Sequence, residues 1–223
     1  MKKSIIIFFV LILFSNVFAN ELDFKNITKI EMDVLRNDKI IGYSNYFFKH
    51  NKDTMIVENY TQFEIDLLGI KVFSIDSKSR EIYEKDKLLS FESKTLQNDK
   101  KKFVKLIYDK GIYIINGSSF VGEASQENII GNWWNAKILK TKTQISPLSG
   151  SVKKQEVKFV SEEKVEYKGK KIKLSKFKLK STEDLPDDKK LDFDIWLDSN
   201  KGIIFKVAYN RLGNWQYRLR NYE

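Results

Sequence analysis

The chain has 223 residues, with 40 Lys and Arg against 30 Asp and Glu, and it contains one His and no Cys. Without Cys, the protein has no disulfide, no thiol nucleophile and no thiolate-held zinc or iron–sulfur site. The single His, His50, excludes a multi-His metal site and leaves a His-based triad only one position. We therefore expect neither a metal nor a cofactor.

The first 19 residues have the pattern of a secretory signal peptide. Lys2 and Lys3 precede ten uninterrupted apolar residues at positions 5–14, and small or compact residues lead to Ala19. A membrane anchor is the alternative, but the stretch from residue 5 to 19 is shorter than the roughly 20 residues that a span needs. The sequence therefore predicts cleavage after Ala19, a periplasmic location, and a single all-β domain over residues 20–223.

The positive charge does not indicate nucleic-acid binding. Only five of the 40 basic residues are Arg, and the Lys residues are scattered among acids along the whole chain. Phosphate and base recognition favours clustered Arg, whose planar fork binds in a bidentate manner. Lys residues alternate with apolar residues over 170–180, as on the solvated face of a strand. Contact of this face with anionic lipid remains the alternative.

Alternation of apolar and polar side chains predicts strands along almost the whole chain. Residues 30–50 form the first hairpin, with its turn at Asn37-Asp38. Turn residues separate the later segments. Further strands are predicted at 55–66, 71–83, 88–96, 102–108, 111–116, 152–160, 164–167, 170–180, 190–197, 202–210 and 214–220.

Three places depart from regular alternation. Leu67-Leu68-Gly69-Ile70 breaks the rhythm between the strands predicted at 55–66 and 71–83. Residues 118–148 read as a loop with one or two short helical turns. Between Leu174 and Phe177, the apolar side chains change from even to odd positions, which predicts a β-bulge or bend near Ser175-Lys176.

About twelve strands joined mostly by hairpins predict one large antiparallel sheet, because sheets of this size curl or close into barrels. The fold class is therefore all-β, a single curled sheet or an incomplete β-barrel. Aromatic residues make up 13% of the chain, and they either pack the core or line a cavity inside the curl. Tyr46, Phe48 and Phe63 are candidate ligand-binding residues for this reason.

Trp133 and Trp134 are the most unusual local feature, because adjacent side chains on a regular strand point to opposite faces. They either cover the core as part of a loop, or they form a gate, a ligand-contacting wall or a membrane-touching tip. Tryptophan suits the second group of roles, since it combines an apolar body with a polar N–H. Both residues are candidate ligand-binding residues.

The sequence offers few groups for catalysis. The carboxylate pairs Glu81 with Glu84 and Asp192 with Asp194 are candidates for acid–base chemistry, but acids in a basic protein commonly pair with Lys. No phosphate-binding loop or nucleophile motif is present. A non-enzymatic protein is the prediction, and a carboxylate hydrolase is the least favoured hypothesis.

Several short motifs carry a resemblance to a known family. These are Ile41-Gly42, residues 81–83, residues 133–135, residues 196–198 and the strand at 202–207. With the signal peptide, they resemble the uncharacterised secreted bacterial proteins grouped as domain of unknown function 6134. These are similar in architecture to the LolA/LolB-like lipoprotein carriers, which fold as an incomplete β-barrel over a hydrophobic cavity. The resemblance implies this fold and a periplasmic location, and it assigns no catalytic residues.

Two functions follow as expectations. The first is a monomeric, non-enzymatic carrier for an apolar ligand, such as a lipid or a lipidated protein, with at most peripheral membrane contact and no nucleic acid partner. The second is an envelope interaction module with a fully packed interior and no ligand.

Overall fold

The computed structural model describes residues 26–187 and 189–223, so the predicted signal peptide lies outside the described residues. Strands account for 71% of the structure, and no helix in the described ranges is long and apolar enough to cross a membrane. The strands are β1 (Lys29–Arg36), β2 (Lys39–Asn51), β3 (Thr54–Leu67), β4 (Ile70–Glu84), β5 (Lys87–Gln97), β6 (Lys100–Asp109), β7 (Ile112–Gly117), β8 (Val121–Ser125), β9 (Ile129–Ile130), β10 (Thr143–Ile145), β11 (Val152–Tyr167), β12 (Lys170–Ser181), β13 (Asp192–Asp198), β14 (Ile203–Asn210) and β15 (Asn214–Tyr222).

All the strands belong to one curled sheet that does not close into a barrel, as the sequence predicts. The order is β8-β7-β6-β5-β4-β3-β2-β1-β15-β14-β13-β12-β11-β10-β9. Neighbours are antiparallel except β9 and β10. The first strand, β1, pairs with the last, β15, and the two edge strands, β8 and β9, are joined by only residues 126–128.

Tight turns join most of the strands because their residues accept positive φ angles. Asn37 and Asp38 have φ angles of 48° and 63°, and Lys85 and Asp86 have 46° and 65°. A two-residue turn with positive φ at both positions matches the twist of an antiparallel hairpin. Asn and Asp adopt this conformation more readily than most residues, which explains why the Asn37-Asp38 turn is visible in the sequence.

The mid-chain segment, residues 126–151, crosses one face of the sheet and covers it. It contains a 3-10 helix at Ala136–Leu139, in agreement with the predicted helical turns, and also β9 and β10, which the sequence does not predict. The Asn135 side chain caps the helix by accepting a hydrogen bond from the backbone N–H of Lys137 at 3.0 Å. The main apolar core lies between this segment and the sheet, with Trp134 and Phe91 almost completely buried.

A bulge is present at this part of the sheet, but it lies on β11 and not on β12. In β11, Phe159 pairs with Phe177 and Ser161 pairs with Lys176, so Val160 is the extra residue. β12 itself pairs with β13 without interruption from Ser175 to Lys180. The prediction of a bulge within β12 is therefore wrong. Because β12 alternates regularly there, Leu174 and Phe177 lie on opposite faces, and each packs against a different apolar cluster.

Gly42 allows a close approach of β3 to β2, and we expect Gly42→Ala to destabilise the protein. A Cβ atom at this position would lie 2.0 Å from the backbone oxygen of Gln62 and 2.5 Å from the Cβ of Phe63. Since backbone atoms must move to relieve this clash, the expected loss is about 2–3 kcal/mol of unfolding free energy. Urea unfolding measures it. Gly69→Ala is the control: its turn has a φ of 80° and open space around a Cβ atom, so the substitution adds backbone strain without a clash. A loss of unfolding free energy at Gly42 no larger than at Gly69 would contradict the expectation.

Candidate functional site

A cavity of about 930 Å³ lies between the concave face of the sheet and the mid-chain segment. Strands β2 to β5 form one wall, and β13 to β15 form another. Its apolar lining includes six large side chains: Tyr46, Phe63, Ile75, Phe91, Trp133 and Tyr217. Exposed residues such as Arg211 and Leu212 lie at one end, so the cavity opens to solvent there.

Hydroxyl and amide groups form a second, polar part of the lining. The side-chain oxygens of Ser44 and Thr61 are 2.7 Å apart, and Asn59 Nδ2 donates to Ser44 Oγ at 3.1 Å. On the next strand pair, Ser77 and Thr95 share a hydrogen bond of 2.7 Å. These groups are buried or half-buried, and they satisfy one another across the strands. The cavity therefore has an aromatic wall beside a polar strip.

Among the described residues that line the cavity, Glu81 is the only buried carboxylate, and it is 1% exposed. Tyr83 donates its hydroxyl hydrogen to Glu81 Oε2 at 2.5 Å. Glu81 Oε1 accepts from Asn132 Nδ2 at 2.8 Å and from Trp134 Nε1 at 3.0 Å. Because Asn132 and Trp134 belong to the mid-chain segment, this carboxyl group ties that segment to β4.

The surroundings of Glu81 favour its protonated form. Burial raises the pKa of its carboxyl group to about 7, and the hydrogen bonds from Tyr83, Trp134 and Asn132 offset only part of this effect. Nearby, burial raises the pKa of Tyr46 to about 12. The hydroxyl oxygen of Tyr46 accepts from the backbone N–H of Trp133 at 3.3 Å, which is a second link between the sheet and the segment.

Similarity to known proteins agrees with this architecture. Residues 32–220 match the family described as domain of unknown function (DUF6134). The chain belongs to this family. No curated protein matches the DUF6134 chain. A solved structure, the β-barrel-like protein of domain of unknown function DUF1849 from Brucella abortus, is similar with a TM-score of 0.62 and 10% sequence identity. The similarity covers 88% of this chain and 97% of that one, and it shows a shared fold.

Three of the five predicted ligand-binding residues of this DUF6134 protein lie at the cavity. Tyr46, Phe63 and Trp133 line it. Phe48 and Trp134 instead pack against each other in the core, with ring centroids 5.4 Å apart and an edge-to-face geometry. Their large rings fill the space between the segment and the sheet, so neither is among the side chains that contact the cavity.

The two adjacent tryptophans therefore have different environments. Trp134 is 1% exposed and also contacts Tyr83 at a centroid distance of 5.7 Å. Trp133 is half-buried and packs on Phe193 and Tyr217 at 5.0 and 6.2 Å. Trp134 fixes the segment to the sheet, whereas Trp133 forms part of the cavity wall.

The predicted carboxylate pairs do not form catalytic dyads. Glu81 is buried, while Glu84, three residues along the same strand, is exposed. Asp192 and Asp194 both bind Lys178, at 2.5 and 3.3 Å, as expected for acids in a basic protein. Among the described residues, no group of three or more acidic or His side chains is arranged to hold a metal ion.

Sequence reasoning missed the role of Glu81 as a buried anchor. Its partners Asn132 and Trp134 lie 51 and 53 residues away in the chain. The alternating pattern places Glu81 on the same face as Tyr83 and Ile75 in β4. This shared odd-numbered position with buried residues is the one signal in the sequence that Glu81 faces inward.

Proposed function

We propose that this protein is a non-enzymatic, periplasmic binding protein that holds the apolar part of an amphipathic ligand, such as a lipid, in its cavity. The observation that carries the proposal is the cavity of about 930 Å³, whose wall includes Tyr46, Phe63 and Trp133. Cavities of roughly 300–1,000 Å³ with a mainly apolar lining and a few polar groups are typical of small-molecule sites.

The polar groups of the cavity favour binding over catalysis. The hydroxyl groups of Ser44, Thr61 and Ser77 are engaged with one another or with neighbouring strands. Glu81 has three hydrogen-bond donors, and no second buried carboxylate lines the cavity among the residues that the structure describes. These are the properties of a fixed, hydrogen-bonded wall that orients a ligand.

The charges at the open end favour a polar or anionic headgroup. In the part of the chain that the structure describes, four cationic side chains line this end together with three acids. The cations are Lys153, Lys180, Lys190 and Arg211, and the acids are Glu183, Asp187 and Asp192. Arg211 donates to the backbone oxygens of Asp187 and Lys190 at 3.3 and 3.2 Å. Its charge is therefore held at the mouth of the cavity by neutral acceptors, where a ligand anion can reach it.

Native mass spectrometry of the protein purified from cells tests the proposal. A co-purified ligand with an alkyl or aromatic body is the expected result. Binding of a fluorescent fatty acid, followed by displacement with an unlabelled one, then gives the affinity. A protein that carries no ligand and binds no fatty acid would contradict the proposal and favour an interaction module. Such a module would have to leave this cavity of about 930 Å³ without a ligand.

Filling the cavity is expected to abolish binding without unfolding the protein. Ser79 lines the cavity and is half-buried, so Ser79→Trp would place an indole in the ligand space. We expect the affinity for the fatty acid to fall by at least tenfold, because the aromatic ring competes for the same volume.

Ser74→Trp is the matched control. Ser74 lies an odd number of residues from Ser79 along β4, on the opposite face, and it does not line the cavity. Equal binding by the wild type and both variants would show that the ligand sits elsewhere, and circular dichroism verifies that both variants are folded.

A further inference from the structure

The β3–β4 hairpin projects beyond the rest of the sheet. Phe63 is the last residue of β3 that pairs with β2, and Ile75 is the first residue of β4 that pairs with β5. Residues 64–73, here called the finger, pair only within the β3–β4 hairpin in the part of the chain that the structure describes. At about 3.3 Å per residue, the finger extends about 13 Å past the last pairing of β3 with β2.

The tip of the finger is aliphatic and exposed to solvent. Leu67, Leu68 and Ile70 have exposed fractions of 62%, 96% and 68%, and Val72 has 48%. The charged residues of the finger lie beside these side chains, and among them Lys71 binds Glu64 at 2.8 Å. Single exposed apolar side chains are common, but a contiguous projecting group marks a contact surface.

An apolar strip joins the tip to the cavity. Three alternate cross-strand pairs form it: Phe63 with Ile75, Ile65 with Phe73, and Leu67 with Ile70. The first pair lines the cavity and is buried, the second is half-buried, and the third is at the exposed tip. The finger is therefore a continuation of the cavity wall into solvent.

The finger and the mouth of the cavity lie at the same end of the sheet. Leu212, at the mouth, is 90% exposed and belongs to the turn between β14 and β15. Arg36 Nη2 donates to the backbone oxygen of Leu212 at 2.5 Å, which holds this turn beside the β1–β2 turn. Ile40, which follows that turn, is 61% exposed, so further apolar side chains accompany the finger at this end.

We propose that the finger inserts its aliphatic tip into the surface of a lipid bilayer and thereby brings the mouth of the cavity to the membrane. Four side chains at a projecting tip are too few for a stable protein interface, which buries about 800 Å² per partner. A fluid apolar phase needs no complementary shape, and interfacial elements bury their apolar side chains about 5–10 Å deep. Without residues 1–19, which carry Lys2 and Lys3 and no acid, the formal net charge of +10 becomes +8, and this charge adds attraction to anionic lipid. Passage of a ligand from the bilayer along the apolar strip to the cavity rests on the proposed function, whereas contact of the finger with the membrane does not.

Vesicle co-sedimentation with the protein purified from cells tests the proposal. Mass spectrometry identifies the N-terminus of this protein and so shows whether residues 1–19 have been removed. The probes are vesicles of phosphatidylcholine and vesicles of phosphatidylethanolamine with phosphatidylglycerol. The test variant is Leu67→Ser combined with Leu68→Ser and Ile70→Ser. Each inserted Leu or Ile contributes roughly tenfold to partitioning, so we expect the triple variant to bind both vesicles at least a hundredfold more weakly.

The control variant changes three exposed aliphatic residues far from the finger: Ile107→Ser, Ile114→Ser and Val121→Ser. Their exposed fractions are 52%, 39% and 75%. We expect this variant to bind vesicles within about threefold of the wild type, because every substituted side chain lies outside the finger. A control that loses binding as strongly as the triple variant would overturn the proposal, since general surface hydrophobicity would then explain the contact.

Two further results would also overturn it. One is a wild type that does not bind vesicles. The other is a wild type that dimerises in sedimentation analysis while the triple variant is monomeric, because the tip would then contact a second copy of this chain. Fatty-acid binding by the triple variant in solution, without vesicles, is expected to equal that of the wild type. If neither the wild type nor any variant binds the fatty acid, while the wild type still binds vesicles, the proposed function is rejected and the membrane contact stands.

Discussion

Trp134→Ala is expected to destabilise the protein by about 3–5 kcal/mol, the range typical of truncating a large buried aromatic side chain. The indole is 1% exposed and packs edge-to-face against Phe48 and Tyr83. Its removal leaves a void between the mid-chain segment and the sheet. It also takes one of three hydrogen-bond donors from the buried carboxyl group of Glu81.

Chemical denaturation measures the loss, and two variants separate its causes. Trp134→Phe keeps most of the volume and removes only the indole N–H, so we expect it to cost about 1–2 kcal/mol. Trp133→Ala, at the half-buried neighbour that lines the cavity, is expected to cost less than Trp134→Ala because its site is already open to solvent. A larger loss at Trp133 than at Trp134 would contradict the assignment of Trp134 as the residue that fixes the segment.

The sheet was largely predictable because its information is local. Asn37-Asp38 and similar turns mark the hairpin ends, and alternation marks the strands between them. β11 is one strand of 16 residues, although the sequence suggests two, because a bulge at Val160 shifts its alternation. β9 and β10 have two and three residues, too few to establish any period.

The site was only partly predictable because its residues meet through long-range packing. Local alternation distinguishes the two faces of β4, but burial of Glu81 depends on Asn132 and Trp134, which arrive from the mid-chain segment. The same applies to the finger. Its apolar residues are evident in the sequence as a break in rhythm at Leu67-Leu68. Its separation from the sheet is not evident there, because it depends on where the pairing of β3 with β2 and of β4 with β5 stops.

Glu81→Gln is expected to remove a pH dependence of stability that this single carboxyl group causes. Burial raises the pKa of Glu81 to about 7 in the folded protein, from 4.5 for an ordinary Glu. The folded state therefore holds a proton between these two values that the unfolded state has released. The stabilisation is complete below about pH 4.5 and is lost as the pH rises through about 7.

The expected size follows from the two pKa values. A difference of about 2.5 units corresponds to about 3 kcal/mol of unfolding free energy between pH 4.5 and 8. In Glu81→Gln, the amide oxygen still accepts from Asn132 and Trp134, and the side chain does not ionise. The variant therefore lacks this contribution, and its stability relative to the wild type should improve by about 3 kcal/mol over that range.

Urea unfolding of both proteins at pH 5 and pH 8 measures the difference, because all other titrating groups are common to the two. Glu84→Gln is the matched control, since Glu84 lies on the same strand and is exposed. We expect its stability difference from the wild type to change by less than about 0.5 kcal/mol between the two pH values. Parallel pH profiles for the wild type and Glu81→Gln would show that Glu81 is ionised throughout. Glu81 would then be a buried anion whose three hydrogen-bond donors fully compensate for its burial.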